Sequence, residues 1–336
     1  MSDNELADRG AAGDADRLTG VARALLGWFA ANRRDLPWRS TRDPYRILVS
    51  EIMLQQTQVD RVIPYYQAFL ERFPTAAALA AAPTAEVIRL WAGLGYNRRA
   101  VNLQRAARAV VEEHAGVWPS DVAGLRALPG IGPYTAGAIA CFAFERDVAF
   151  LDTNMRRVIH RVFFGPDLPS PTASERELLA VAADVVPPDE GWLWNQALIE
   201  FGALHCTARK PACVVCPLGA YCRARPAMAG AIAATPKGVR KKREEIFAGS
   251  NRYYRGRAVD ALRELGGASA EIGIPLRELG PLVKSGFTEA DLPWLRGLVD
   301  DLTRDGLAAV AEDAPPYHAD GVDRPESGFA RVRLPR

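Results

Sequence analysis

The sequence predicts a mainly α-helical chain that ends in a small α/β module, and three observations carry the prediction. Apolar residues recur at helical spacing through the first two thirds of the 336 residues, in 17–31, about 45–72, 76–82, 85–92, 98–114, 121–127 and 133–144. Short Gly/Pro breaks separate these segments, and no long alternating run argues for a sheet among them. After residue 251 the pattern restarts: RYYRGRAVDALREL, PLRELGPLV and DLPWLRGLVDDLTRDG read as helices, followed by VAED and FARVRL, which can form a β-ribbon. Helices followed by a ribbon resemble a winged helix, and other small α/β modules would give the same string.

The organisation follows from these breaks. Residues 1–16 are acidic and Gly/Ala-rich and read as a disordered lead, 17–234 as the main helical region, 235–250 as a linker and 251–336 as the C-terminal module. The linker carries the basic run Arg240, Lys241, Lys242 and Arg243. A composition that is 49% hydrophobic and 24% charged is that of a globular protein, and a formal net charge of +2 confines any nucleic-acid face to a local patch. No uninterrupted apolar run approaches the ~18 residues of a membrane helix, and the N-terminus lacks the basic-then-apolar order of a signal peptide, so a cytoplasmic protein without a membrane partner is expected.

The most informative segment is LRALPGIGPYTAGAIACFAF. A short helix ends at Leu128–Pro129, a Gly-Ile-Gly turn follows, and Pro133 opens a second helix at its favoured first-turn position. Gly130 and Gly132 allow a tight turn with exposed N–H groups, which at a helix N-terminus can hold a phosphate without side-chain charge. About twenty residues on, FLDTNMRRVIHRV places Asp152 just ahead of a basic helix. Taken alone, Asp152 or Thr153 could simply cap that helix. A carboxylate beside an anomeric carbon could instead stabilise the positive charge of a breaking glycosidic bond. Upstream, ILVSEIML interrupts an apolar helical run with Glu51; if buried among Ile47, Leu48, Ile52 and Leu54, it should hold a proton at higher pH than usual. A glutamate on the exposed face of an amphipathic helix is the bland alternative.

The LPGIG hairpin followed by LDTN resembles the helix-hairpin-helix DNA glycosylases. LPWR, SEIMLQQTQV, WAGLGYNRRAVNL, LPGIGPYTAGAI and NQALIEFGALHCT are similar, in order and spacing, to the MutY-type adenine DNA glycosylases over about residues 20–225. The resemblance implies a six-helix barrel (about 40–145, with the hairpin at 128–132) plus a cluster-containing domain built from 17–39 and 146–225. It implies Glu51 as the general acid that protonates adenine N7, and Asp152 as the carboxylate that stabilises the sugar cation, held by Tyr134 and Asn154. Gln56 matches a wedge in the base stack and Tyr96 an aromatic that intercalates beside the opposing guanine. Arg34, Trp38, Arg39, Leu54, Gln196 and Glu200 match positions around the flipped base. Lyase-competent relatives such as endonuclease III carry a lysine where this chain has Tyr134, so a monofunctional enzyme is implied. The implied substrate is adenine opposite 8-oxoguanine or guanine in duplex DNA, attacked by a monomer on nucleoid DNA.

Cys206, Cys213, Cys216 and Cys222 are spaced C-x6-C-x2-C-x5-C, which alone fits zinc or a four-iron cluster. The same spacing in endonuclease III and MutY-type enzymes implies a four-iron four-sulfur cluster here, with Arg209 and Lys210 on the intervening loop. Cys141 reads as an inert core thiol. The chain departs from the family in two places: Thr153 replaces the commoner glycine of LDGN, and no pattern of the usual Nudix-like 8-oxoguanine reader follows residue 235. Two other readings stay open, a thymine or uracil glycosylase acting at G mismatches and a non-catalytic iron–sulfur DNA-binding protein.

Overall fold

The computed structural model describes residues 3–235, 247–311 and 330–336, with side chains from residue 16 onward, Ala268 excepted. The basic run Arg240–Arg243 lies outside the described residues. The chain is mainly helical and packs as two compact units. One comprises 1–48, 119–127 and 131–238, the other 49–118, 128–130 and 239–336.

In the first unit α1 (Asp3–Asn32) is helical from Asp3, where the sequence reading expected a disordered lead over 1–16. No proline interrupts it, and its alanines favour helix. The short helix α7 (Val122–Ala127) packs on α8 (Pro133–Phe144), which Gly132 caps and Pro133 opens. α9 (Thr153–Phe163) and α10 (Glu175–Asp184) follow, the latter started by a Ser174–Glu177 capping box. α11 (Gly191–Leu204) is buried along most of its length and packs on both α1 and α9. Gly202 permits the α9 contact, because a Cβ there would lie 2.7 Å from that of Asn154. After the cysteine loop, α12 (Met228–Ala234) ends the unit.

The second unit begins inside α2 (Pro44–Leu54), whose N-terminus is held by the Asp43 carboxylate accepting from the Tyr45 N–H at 2.9 Å. α3 (Val59–Arg72), α4 (Ala76–Ala81), α5 (Thr84–Leu90) and α6 (Arg98–Glu113) follow. The expected helical segment 45–72 is thus two helices, broken at Gln56, whose φ is +58°. Buried Gln104 on α6 donates to the carbonyls of Leu79 and Ala82 and accepts from the Thr84 hydroxyl, so it satisfies the α4–α5 turn from within.

The C-terminal module completes this unit with α13 (Asn251–Glu264), α14 (Gly267–Ile272), β1 (Ile274–Pro275), α15 (Leu276–Val283), α16 (Leu292–Arg304), β2 (Ala309–Ala311) and β3 (Arg331–Arg333). The strands are antiparallel in the order β1-β3-β2, with Val332 fully buried at the centre opposite Ile274 and Val310. Helices with a three-stranded antiparallel sheet are what was expected of a small α/β module. The module shares one apolar core with α5 and α6: Ile88 and Val101 pack with Val259, Leu262, Leu298 and Leu302. The Ala85 N–H donates to Pro335 O at 2.9 Å, and the Arg263 guanidinium reaches Ile88 O at 3.1 Å. Among the described residues, no helix is long and apolar enough to cross a membrane.

Candidate active site

Asp152 is the N-cap of α9, and this is the bland reading made concrete: its Oδ1 accepts from the Met155 N–H at 2.6 Å. The cap also fixes the carboxylate. Its Oδ2 accepts from Asn154 Nδ2 at 3.2 Å, and Arg157 Nη2 holds the Asn154 Oδ1 at 2.7 Å. Arg157 in turn donates to the carbonyls of Gly202 (2.6 Å) and Cys206 (2.7 Å). A continuous chain of hydrogen bonds therefore runs from the aspartate to the cysteine loop. Burial pushes the Asp152 carboxyl above its ordinary range, opposed by the hydrogen bonds from Met155 and Asn154. Tyr134 stands at the start of α8 with its ring edge-on to Phe150 at 5.5 Å.

A second cluster in the same unit joins four residues that the sequence reading had grouped. Glu200 is fully buried and takes both guanidinium groups: Arg34 Nε and Nη2 at 2.9 and 2.7 Å, Arg39 Nη1 and Nη2 at 3.2 and 3.0 Å. The Arg34 backbone N–H adds a further bond at 2.9 Å, and Arg39 Nε holds Gln196 Oε1 at 2.9 Å. Burial works against the charge of Glu200, but the bonds from Arg34 and Arg39 outweigh it and hold the carboxyl at about 2. Trp38, on the turn Pro37–Arg39, is buried alongside.

In the second unit Glu51 is buried on α2 at 7% exposure, and Leu54, half-buried, ends the helix. Gln56 and Tyr96 are exposed, and both have positive φ, +58° and +46°. One residue that sequence reasoning missed ties them together. Arg99 Nη1 donates to the carbonyls of Ile52, Met53 and Gln55 at 2.7, 3.1 and 2.6 Å, while Nη2 reaches those of Leu94 and Gly95 at 3.0 and 3.1 Å. Burial lowers the guanidinium to about 10, with nearby Tyr96 opposing. The hairpin residue Gly130 has φ +77°, and a Cβ there would lie 2.6 Å from that of Asn102. Gly132 is extended and open, leaving room for close approach of a ligand.

Cys206, Cys213, Cys216 and Cys222 line one pocket with Arg161 and Phe201, and none is in a disulfide. Among the described residues, no three His, Cys, Asp or Glu side chains converge as a single ion requires. A cuboidal four-iron cluster takes one thiolate on each iron, and four thiols are what this pocket presents. Arg161 donates to the carbonyls of Thr207 and Ala208 at 2.8 Å and lies 3.6 Å from Cys206 Sγ, so α9 anchors the start of the loop. Cys141 is fully buried, and burial raises its thiol to about 12, in keeping with an inert core position.

Fold and site together define a helix-hairpin-helix base-excision glycosylase with an iron–sulfur domain. Residues 49–183 match the HhH-GPD superfamily of base excision DNA repair proteins, and 206–222 match the iron–sulfur binding domain of endonuclease III. Among solved structures, a thermostable thymine-DNA glycosylase superposes with a TM-score of 0.59 at 31% identity, covering 63% of this chain and 98% of that one. A non-covalent endonuclease III–DNA complex gives 0.54 at 25% identity, covering 61% and 94%. An adenine DNA glycosylase of Mycolicibacterium smegmatis is 47% identical over 242 residues, 71% of this chain and 79% of the relative. That of Mycobacterium tuberculosis is 41% identical over 295 residues, 86% and 88%; the human enzyme is 44% identical over 222 residues, 63% and 40%. The chain belongs to the adenine DNA glycosylase family, and its iron–sulfur domain over residues 206–222 carries a four-iron four-sulfur cluster.

Proposed function

We propose that the chain is a monofunctional glycosylase that acts as a monomer on duplex DNA in the cytoplasm, releasing adenine paired with 8-oxoguanine or guanine. The observation that carries this reading is the built setting of Asp152: a partly buried carboxylate fixed by a helix cap and by Asn154, on the helix that also anchors the cysteine loop. Asp152 stabilises the sugar cation as the bond breaks, and Glu51 delivers the proton that makes adenine a leaving group. Arg34, Trp38, Arg39, Leu54 and Gln196 surround the flipped base, with Glu200 orienting the two arginines; Gln56 fills the gap and Tyr96 stacks beside the opposing purine. Gly130 and Gly132 bring backbone N–H groups to a phosphate. The cluster has a structural role, closing the loop of residues 206–222. Tyr134 offers no amine, so water is the final nucleophile.

The test is single-turnover base release from duplexes holding 8-oxoG:A, G:A, G:T and G:U. Adenine should leave fastest, Glu51→Gln and Asp152→Asn should each abolish release while sparing duplex binding, and borohydride should trap no adduct. Thymine or uracil released faster than adenine would overturn the substrate. Activity of either variant within about tenfold of the parent, only about 1.4 kcal/mol, would mean that the wrong carboxylate was chosen.

A further inference from the structure

Three consecutive residues at the start of α6, Tyr96 to Arg98, each hold a partner in the C-terminal module. The Arg252 guanidinium lies over the Tyr96 ring, 4.1 Å from its centroid; Arg263 Nη2 donates to Asn97 Oδ1 at 2.7 Å; and Arg98 pairs with Asp305 at 3.4 Å. The Ser250 side chain caps α13 by accepting from the Tyr253 N–H, and Arg263 also reaches Ile88 O, so both ends of α13 are fixed and Arg252 is aimed at this segment. Yet Arg252 itself is exposed, Tyr96 is 44% exposed, and Phe247, on which Arg252 also leans at 5.6 Å, is 48% exposed. A guanidinium held by docked helices but left open to solvent between two aromatic rings has the form of a contact waiting for a ligand.

We propose that Arg252 reads the base opposite the target adenine, donating to the 6-keto oxygen of a guanine-type purine. The inference rests on the reading of Tyr96 as the residue that stacks beside that purine. A guanidinium stacked on a ring lies in the next layer of the stack, the layer the purine takes when Tyr96 enters the duplex. Its long stem lets it slide from the face of Tyr96 to the edge of the purine while staying in that layer, with its N–H donors in the plane of the base. Arginine has donors and no acceptors, so it matches the 6-oxygen that guanine and 8-oxoguanine share and opposes a 6-amino group. The module thereby contributes to recognition of the opposing strand without a Nudix-like fold.

The experiment measures single-turnover adenine release opposite guanine, 8-oxoguanine and 2-aminopurine, which keeps the 2-amino group of guanine but lacks its 6-oxygen and N1–H, for the parent, Arg252→Ala, Arg252→Lys and Tyr96→Ala. The parent should prefer both 6-keto purines over 2-aminopurine. Arg252→Ala should narrow that preference by about tenfold, by slowing release opposite the keto purines, and Arg252→Lys should recover part of it by keeping a donor. Equal loss opposite all three bases would make Arg252 a phosphate contact and overturn the proposal, as would unchanged ratios or a parent without the preference. Tyr96→Ala separates the two layers of inference. If it leaves all rates unchanged, the stacking role of Tyr96 fails; if it slows release while Arg252→Ala keeps every ratio, only the role of Arg252 fails.

Discussion

Asp152 caps α9, and the proposed chemistry would use the same side chain. Capping α9 removes freedom from the carboxylate, and the Asn154 amide favours its charged form against the burial that disfavours it. In the proposed mechanism the charged form is the one that stabilises a sugar cation, so activity should be present above its pKa and lost as pH falls through it. Asn154→Ala removes a bond that lowers that pKa; the acid limb of the single-turnover rate should therefore move to higher pH, and an unmoved limb would count against Asp152 as the titrating group. LDTN marked the aspartate as a candidate, and their spacing marked the four cysteines. Arg99 and Arg157 were not marked, because nothing in NRRA or MRRV sets the second arginine apart from the first. In each pair the first arginine turns outward to an acid, Arg98 to Asp305 and Arg156 to Glu175, while the second turns inward onto backbone carbonyls. Only the fold distinguishes neighbours one position apart on a helix, since it brings carbonyls to one of them.

At the scale of elements, the break between α2 and α3 shows why a helical pattern can be read correctly and still be cut in the wrong place. QQTQ contains neither Gly nor Pro, so nothing local ends the helix. Arg99 ends it by taking the carbonyls of Ile52, Met53 and Gln55, groups that a continuing helix would pair with N–H donors four residues on. This tertiary C-cap leaves Gln56 in the left-handed region and fixes the Tyr96 loop with the same guanidinium. Arg99→Ala should strand several carbonyls at once and destabilise the protein by roughly 1–3 kcal/mol. It should also slow base release on a mismatch, because Gln56 and Tyr96, the proposed wedge and stacking residues, lose their support; thermal unfolding together with single-turnover rates would check both parts, and a parent-like melting curve would show that water replaces the guanidinium without loss. The cysteine loop is an element of another kind, one that its ligand closes. Burial raises Cys216 to about 11 and also lifts Cys206 and Cys222, so bare thiols there favour protonation and the thiolates depend on bound metal. Anaerobically prepared protein should be brown and contain four irons per chain by metal analysis, as a four-iron cluster requires. Stoichiometric zinc without iron would sink that expectation.

At the scale of the whole chain, the C-terminal module is where sequence and structure diverge most usefully. Its helices and ribbon were legible in their periodicity, but β1 is two residues long and carries no pattern of its own, and nothing in the sequence marked Ile88 and Val101 as partners for residues 258–334. Read as a tethered DNA-binding unit, the module could be removed with only a uniform loss of affinity. The shared core argues otherwise. Ile88 is fully buried and Val101 is 4% exposed within a cluster made mostly of module side chains, and the module also supplies the carbonyl that accepts from Ala85. Ending the chain at residue 246 would uncover both side chains, at about 1.5–3 kcal/mol each for full burial of an aliphatic side chain. That is a large fraction of the ~5–15 kcal/mol that stabilises an ordinary domain. The truncated chain should therefore unfold at a distinctly lower temperature than the full chain and aggregate more readily, whereas Arg252→Ala, which removes only an exposed side chain, should melt with the parent. Equal melting temperatures for the truncated and full chains would show that the shared core contributes little. The expected outcome makes deletion a test of stability rather than of recognition, and leaves the opposing-base question to point variants in a module that stays in place.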